Sequence, residues 1–377
     1  MLLIDRYLLL QFLKSFAIFF TSFTGLFIVI DSFNNLDEFL QYGEMTGSTA
    51  GVLFDYYFPR VFTFFSMTSG VLTLIAAMFT ITLLQRNNEM VALLAAGIPQ
   101  GRIVRPIIAA VAVIIGLSVI NREMIIPAYM DQLTRNAQDW MGDRSKSLNP
   151  KYDNRTDVLI NGSSTVAKEM RINSPNFRLP RTYEGLGNRL ASDRAFYQAP
   201  AQGRPGGFLL EDVSEPVTLE GIQSISMHDE PFLLMPADTD WLKPNQCFLV
   251  TELTFEQLTA SNQWRTSAAT WDLISALRNR SLDFGADVRV EIHSRIAQPF
   301  LDFTLLLLGL PIVLRKEQRN VFLAIGWCLL IVMLFYVVVL ACRGLGNNFW
   351  LSPALAAMFP LILFVPVAAG MSEPLRS

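Results

Sequence analysis

The stretch LLQRNNEMVALLAAGIPQGRIVRP, residues 83–106, leaves one long apolar run, passes through a short polar helix with a sharp stop, and enters another apolar run. Asn87 or Asn88 can cap a helix whose first turn holds Glu89, where a carboxylate suits the positive dipole end. EMVALLAA is a strong helix former, Gly97 permits the left-handed turn after the last helical residue, and Pro99 blocks continuation. A helix of about three turns is therefore predicted near 87–97, with Met90, Val91, Leu93 and Leu94 as its apolar set. Two placements satisfy that set. The helix either lies flat in a lipid interface or inserts into a groove on a partner protein, and periodicity does not separate them.

Working outward, the flanking runs belong to a chain of 377 residues that is 51% hydrophobic and only 17% charged. Soluble domains carry about a quarter charged residues and disperse their apolar ones. Here the apolar residues are clumped, which marks a membrane protein with one sizeable polar insert. The net charge of −3 offers no footprint for nucleic acid. Cys247, Cys328 and Cys342 are too far apart for a disulfide framework or a CxxC site, and His228 and His293 leave little material for metal or triad chemistry. The N-terminal run has no small-x-small cleavage site and is expected to remain as a spanning helix.

A span needs about 20 mostly apolar residues. Six segments qualify, near Leu8–Ile30, Val61–Leu84, Ile103–Ile126, Ile296–Leu314, Val321–Ala341 and Trp350–Met371. One set of short loops holds Arg6, Lys14, Arg86, Arg102, Arg105, Arg315, Lys316, Arg319 and Arg376. The opposite loop holds Asp31, Asp37, Glu38, Glu44 and Asp55 against Arg60. The excess of basic residues predicts a cytoplasmic first set, both termini inside, and the insert between the third and fourth spans outside.

That insert opens with a helical pattern, AYMDQLTRNAQDWM, expected to continue the third span. Short runs follow: TDVLINGSSTVAKEM, RAFYQAPAQGRPGGFLLEDV, EPVTLEGIQSISM, NQCFLVTELTF and ADVRVEIHSRI. They alternate apolar and polar residues between turn formers and read as β-strands. SAATWDLISALRNR reads as a helix with Ser or Thr as cap. The predicted fold is thus six transmembrane helices with an all-β jelly-roll or β-sandwich domain inserted between helices 3 and 4. Its parts are 1–126 (helices 1–3), 127–293 (the β-domain) and 294–377 (helices 4–6).

Three spans, a large β-domain and three more spans, with RNNEMVALLAAGIP after the second span and EIHSRIAQPFLDFTLLLLGLPIVLRKEQR around the fourth, resemble the LptF/LptG (YjgP/YjgQ) permeases of the lipopolysaccharide export ABC transporter. The openings LIDRYLLLQFLKSF and VIDSFNNLDEF are nearer the LptG pattern. The resemblance implies a multi-pass protein of the bacterial inner membrane with a periplasmic β-domain. It also implies a coupling helix, with Glu89, Met90, Leu93, Leu94 and Gly97, that docks on an LptB-like cytosolic ATPase. A second LptF/LptG-like permease subunit, an LptC-like membrane and periplasmic protein, and lipopolysaccharide or a related glycolipid complete the implied partners.

The residues themselves agree on what powers such a machine. No GxxxxGK followed by Ser or Thr occurs, so this chain has no phosphate loop of that kind. No cofactor is expected in it; ATP and Mg belong to the separate ATPase. Arg60, Arg122, Arg295 and Arg343 stand at the outer ends of four spans and suit phosphate recognition, or else act as solitary interfacial anchors. Asp302, inside the fourth span, is a functional candidate or the partner of Arg295 or Arg343. Some LptG proteins carry lysines just outside the first span, and this chain has Asp31, Asp37 and Glu38 there with no lysine. A non-transporting scaffold and a membrane-anchored envelope-lipid enzyme are the alternatives, and the latter lacks a clustered nucleophile, base or metal set.

Overall fold

The computed structural model describes residues 3–133, 137–139, 145–183, 186–201, 204–219, 221–227, 230–259, 262–279, 281, 285–314 and 321–371. Helices α1 (Leu3–Asn34), α2 (Leu36–Thr46), α3 (Thr49–Arg86), α4 (Glu89–Ala95) and α5 (Gln100–Ile120) come first. A π-helical turn, Asn121–Ile125, then joins α5 to α6 (Ile126–Ala128), and α7 (Met130–Leu133) follows. Eleven strands come next: β1 (Lys146–Ser147), β2 (Lys151–Asp153), β3 (Val158–Ile160), β4 (Ser164–Val166), β5 (Arg171–Asn173), β6 (Asn176–Tyr183), β7 (Gly187–Gln198), β8 (Gly207–Glu215), β9 (Ile225–Met227), β10 (Glu230–Leu234) and β11 (Gln246–Val250). The chain closes with α8 (Phe255–Thr259), α9 (Asn262–Ser267), α10 (Thr270–Arg278), α11 (Ala286–Leu314), α12 (Val321–Asn347) and α13 (Pro353–Met371).

Two compact units result, Met1–Tyr129 with Gly285–Ser377, and Met130–Phe284. Among the described residues, the first contains six helices long and apolar enough to cross a membrane. Its best buried helices are α3 and α11. Small residues on both, including Ser69, Thr73, Ala76 and Ala77 on α3 and Ala297 on α11, are essentially inaccessible. In lipid, where no hydrophobic force drives helices together, such close backbone approach and interhelical hydrogen bonds supply the cohesion. Ser69 donates to Ser118 at 3.0 Å, and the Gln85 amide donates to the Val313 carbonyl at 2.8 Å. The faces of α1 and α12 carry Ile18, Leu26, Ile30, Leu330, Met333 and Leu340 outward, as expected of helices whose solvent is lipid or another apolar helix.

The second unit is an antiparallel sheet whose path runs β1-β4-β5-β7-β8-β11-β10-β9, with β2, β3 and β6 joined through β7. The long β7 organises it. One edge takes β6 against Asn176↔Ala191 and then β5 against Arg171↔Phe196, while the other edge pairs with β8 along its length. Phe177, Leu190, Ala195, Phe208, Leu210 and Phe232 meet on one face and are almost fully inaccessible. On the other face Trp241, Leu242, Phe248 and Val250 form a smaller cluster. Cys247 sits in the core, where burial raises its thiol pKa and keeps it inert.

Several expectations need correction. ADVRVEIHSRI is not a strand but the opening turns of α11. Val288, Val290 and Ile292 are all buried, so a helix packed on several sides imitates period-two alternation. AYMDQLTRNAQDWM is not one continuous helix: within it lie the end of α6, the single turn of α7 and a 3-10 turn at Ala137–Asp139. Within EPVTLEGIQSISM the described strand residues are Glu215, the end of β8, and Ile225–Met227, whereas β1, β2, β5, β6 and β10 lie outside the runs read as strands. The cap of α10 is not Ser or Thr; the Asp272 carboxylate accepts from the Ala269 N–H at 3.3 Å instead. Arg315, Lys316, Arg319, Arg376 and His228 lie outside the described residues.

Candidate functional site

The corner between α3 and α5 is built around α4. This helix is shorter than predicted, about two turns. Asn88 takes a left-handed conformation, φ 61°, and makes no side-chain cap; the Asn87 amide reaches Glu89 Oε1 at 3.3 Å instead. The stop is as read: Gly97 has φ 80°, its N–H bonds Leu94 O at 3.0 Å, and the Ile98 N–H bonds Leu93 O at 3.1 Å. That pair of bonds closes a Schellman motif, which needs a residue without a Cβ penalty at Gly97. Gly97→Ala is expected to lower the thermal stability of the corner by about 1 kcal/mol, read as faster amide exchange at Leu93–Ile98 with little change elsewhere.

Met90, Leu93 and Leu94 of α4 point inward. Met90 is buried, and Leu93 and Leu94 pack partly buried against the same core as Leu8, Phe12, Ile103 and Ile107. Val91, the fourth member of the apolar set, is exposed, as are Ala92 and Ala95. The outward face thus carries Val91 and two alanines, while Met90, Leu93 and Leu94 join α4 to the spanning helices. Glu89 Oε2 accepts from the Tyr7 hydroxyl at 2.9 Å, and Arg102 on α5 pairs with Asp5 on α1 at 3.0 Å.

A second polar cluster lies inside the helical unit. Arg122, carried on the π-helical turn, donates to the Arg295 carbonyl at 2.9 Å and pairs with Glu123 at 3.2 Å. Arg295 is 3% exposed, with its guanidinium on Glu291 at 3.0 Å. One turn further along α11, Gln298 donates to Asp302 Oδ1 at 2.8 Å and accepts from Arg343 of α12 at 3.0 Å. Asp302 therefore meets Arg343 through an intervening amide rather than directly. It also stands against Gly70 of α3, where a Cβ would come 2.4 Å from Oδ1.

Of the four arginines expected at the span ends, Arg122 on the π-helical turn thus meets Arg295 on α11, while Arg343 on α12 reaches α11 separately, through Gln298. Arg60 lies on Tyr56. Its guanidinium carbon stands 3.4 Å above the Tyr56 ring and one nitrogen donates to the Tyr56 carbonyl at 2.8 Å, beside Tyr57, which donates to Asp31 at 2.8 Å. His293 bonds the Arg289 carbonyl at 2.7 Å, as a structural group does.

Sequence reasoning missed Gln298, Gly70, Tyr7 and the π-helical turn. An amide one helical turn before Asp302, inside the same apolar span, was the available signal for Gln298. For the turn it was Pro127, which has no N–H to continue the ladder. Compared with known proteins, the chain matches over residues 6–165 and 188–373 the family model described as lipopolysaccharide export system permease LptF/LptG. No curated protein matches it.

Proposed function

Because the chain belongs to the lipopolysaccharide export system permease LptF/LptG family, we propose that it is one permease half of an ABC transporter that lifts lipopolysaccharide, or a related glycolipid, out of the inner membrane. It is a multi-pass transport subunit. The work is done with ATP and Mg bound by a separate LptB-like ATPase, a second LptF/LptG-like subunit completes the transmembrane unit, and an LptC-like protein accepts the lipid. The α4 corner, with Arg86, Arg102 and Arg105 around it, faces the cytoplasm, both termini share that side, and the sheet unit is a periplasmic jelly roll. The opening motif favours the LptG-type role.

The observation that carries this reading is the construction of α4. It is a helix closed by a Schellman turn at Gly97, whose inner face is packed on the helical core and whose outer face carries Val91, Ala92 and Ala95. A helix lying in lipid would need its bulky apolar residues outward. Here Met90, Leu93 and Leu94 face inward and Val91 alone of the set faces out, which suits a helix that receives a partner outside and passes force to the spans inside.

For the lipid headgroup, Arg343 and Arg122 are the cations to bind phosphate. Arg343 leans on the neutral amide of Gln298, a weak hold that a phosphate can displace, whereas Arg295 is closed in by Glu291. Photocrosslinking of lipopolysaccharide to the purified complex is expected to fall about tenfold in Arg343→Ala, the worth of one charge-assisted hydrogen bond, and less in Arg60→Ala. Unchanged yields in both Arg343→Ala and Arg122→Ala would reject the headgroup assignment. A chain that retains no cytosolic ATPase subunit on purification would be a scaffold or a lipid enzyme instead.

A further inference from the structure

We infer that Asp5, Tyr7 and Arg102 are positioning residues: they latch the first spanning helix to the α4–α5 corner, so that force on α4 is delivered to α1. The proposal rests on the transporter reading for its meaning but on geometry for its content. The Tyr7 hydroxyl donates to Glu89 Oε2 at 2.9 Å across 82 residues of sequence, and Arg102 meets Asp5 at 3.0 Å across 97. One link ends on the first residue of α4 and the other near the start of α5, so both sides of the corner are tied to the same turns of α1.

Those turns are also where α1 is anchored by packing. Leu8 and Phe12 are wholly inaccessible and share a core with Met90, Ile103, Val104 and Ile107. Beyond them α1 is the least buried of the six long helices. It rests on α3 through ring contacts, Phe19 on Phe79, Phe20 on Phe65 and Phe27 on Phe64, with centroids 5.2 to 5.6 Å apart. Two hydrogen bonds from α3 also reach it, Thr80 to Ser15 at 3.4 Å and Tyr57 to Asp31 at 2.8 Å. A helix of 32 residues spans about 48 Å, so the latch at its first turns acts far from the Tyr57–Asp31 bond near its other end. The latch also leaves Glu89 available, since a carboxylate has about four lone-pair sites and, among the described residues, Tyr7 and Asn87 donate to two of them.

The test uses the full chain with its ATPase and second permease subunit in liposomes containing lipopolysaccharide, and measures lipid released per ATP hydrolysed. Asp5→Arg and Arg102→Asp are each expected to lower that ratio by up to about fivefold, the reach of one half-exposed ion pair, and the double exchange to restore it. Tyr7→Phe, which removes only the hydroxyl, is expected to lower the ratio in the same direction while ATPase retention and hydrolysis stay at the wild-type level. Wild-type ratios in Tyr7→Phe and both single exchanges, with the ATPase retained, overturn the latch. Absence of an ATPase from the wild-type complex overturns the transporter reading instead. The latch is then judged on the chain alone, from the distance between spin labels at Leu10→Cys and Val91→Cys. A distribution that broadens in Asp5→Arg and narrows again in the double exchange upholds it, and identical distributions throughout overturn it.

Discussion

Glu89→Lys is expected to reduce retention of the ATPase subunit by at least about thirtyfold, the effect of losing a central contact of a small interface. Three changes coincide in that one substitution. The acceptor for Tyr7 and Asn87 disappears, a cation replaces a carboxylate at the first residue of α4 where the helix end is already positive, and the docking face presents the opposite charge to its partner. The helical core should survive, because Glu89 is only half-buried and Met90 holds α4 from below. Thermal unfolding of the purified chain should therefore stay near wild type while co-purification collapses. Glu89→Gln keeps the size but only one acceptor oxygen, so it retains the bond from Tyr7 or from Asn87 but not both, and should fall between the two. Equal ATPase recovery from wild type and Glu89→Lys would mean that α4 is not the docking element, and a matched fall in thermal stability would mean that the lesion is one of folding.

Gly70→Ala is expected to destabilise the helical unit by about 3 kcal/mol, the upper part of the range for overpacking. The added Cβ would stand 2.4 Å from Asp302 Oδ1 and 2.7 Å from its Cγ, well inside contact distance. Asp302 has little room to yield, since it is buried and held by Gln298, which in turn receives Arg343. Moving the carboxylate would therefore disturb α3, α11 and α12 together. Asp302→Ala alone should cost about 1–3 kcal/mol by leaving the Gln298 N–H groups without their acceptor. In Gly70→Ala/Asp302→Ala the clashes with Oδ1 and Cγ are gone and the residue-302 Cβ at 3.3 Å is the close contact left, so the double variant should lie much nearer Asp302→Ala than the sum of the two single losses. Non-additivity of that size is what residues in direct contact show. Thermal unfolding in detergent measures all three, and losses that simply add would place Asp302 away from Gly70 in the folded protein.

The arginines show how far residue order alone could lead. Their types and their places near span ends made phosphate recognition a reasonable expectation for Arg60, Arg122, Arg295 and Arg343 alike. In the folded chain the four differ sharply: Arg60 lies on Tyr56, Arg295 is enclosed beside Glu291, Arg122 is turned onto a carbonyl, and Arg343 rests on an amide. A hydrophobic count registers that an arginine ends a span but not which neighbour from a distant segment reaches it first. The same limit explains α11, where burial from several sides gave a helix the alternating pattern of a strand.

What the residue order determined by itself was the class of molecule. Apolar runs of spanning length, Gly and Pro punctuation and a short capped helix between the second and third runs follow from local rules, because a bilayer demands that each span satisfy its own backbone. What only the tertiary structure decided was direction and partnership: that Met90, Leu93 and Leu94 face inward and Val91 and Ala92 outward, that Gly70 makes room for Asp302, and that Tyr7 reaches Glu89. Those are contacts between residues far apart in the chain. A helix of two turns has apolar residues on more than one side, and packing against neighbouring helices selects which side is buried.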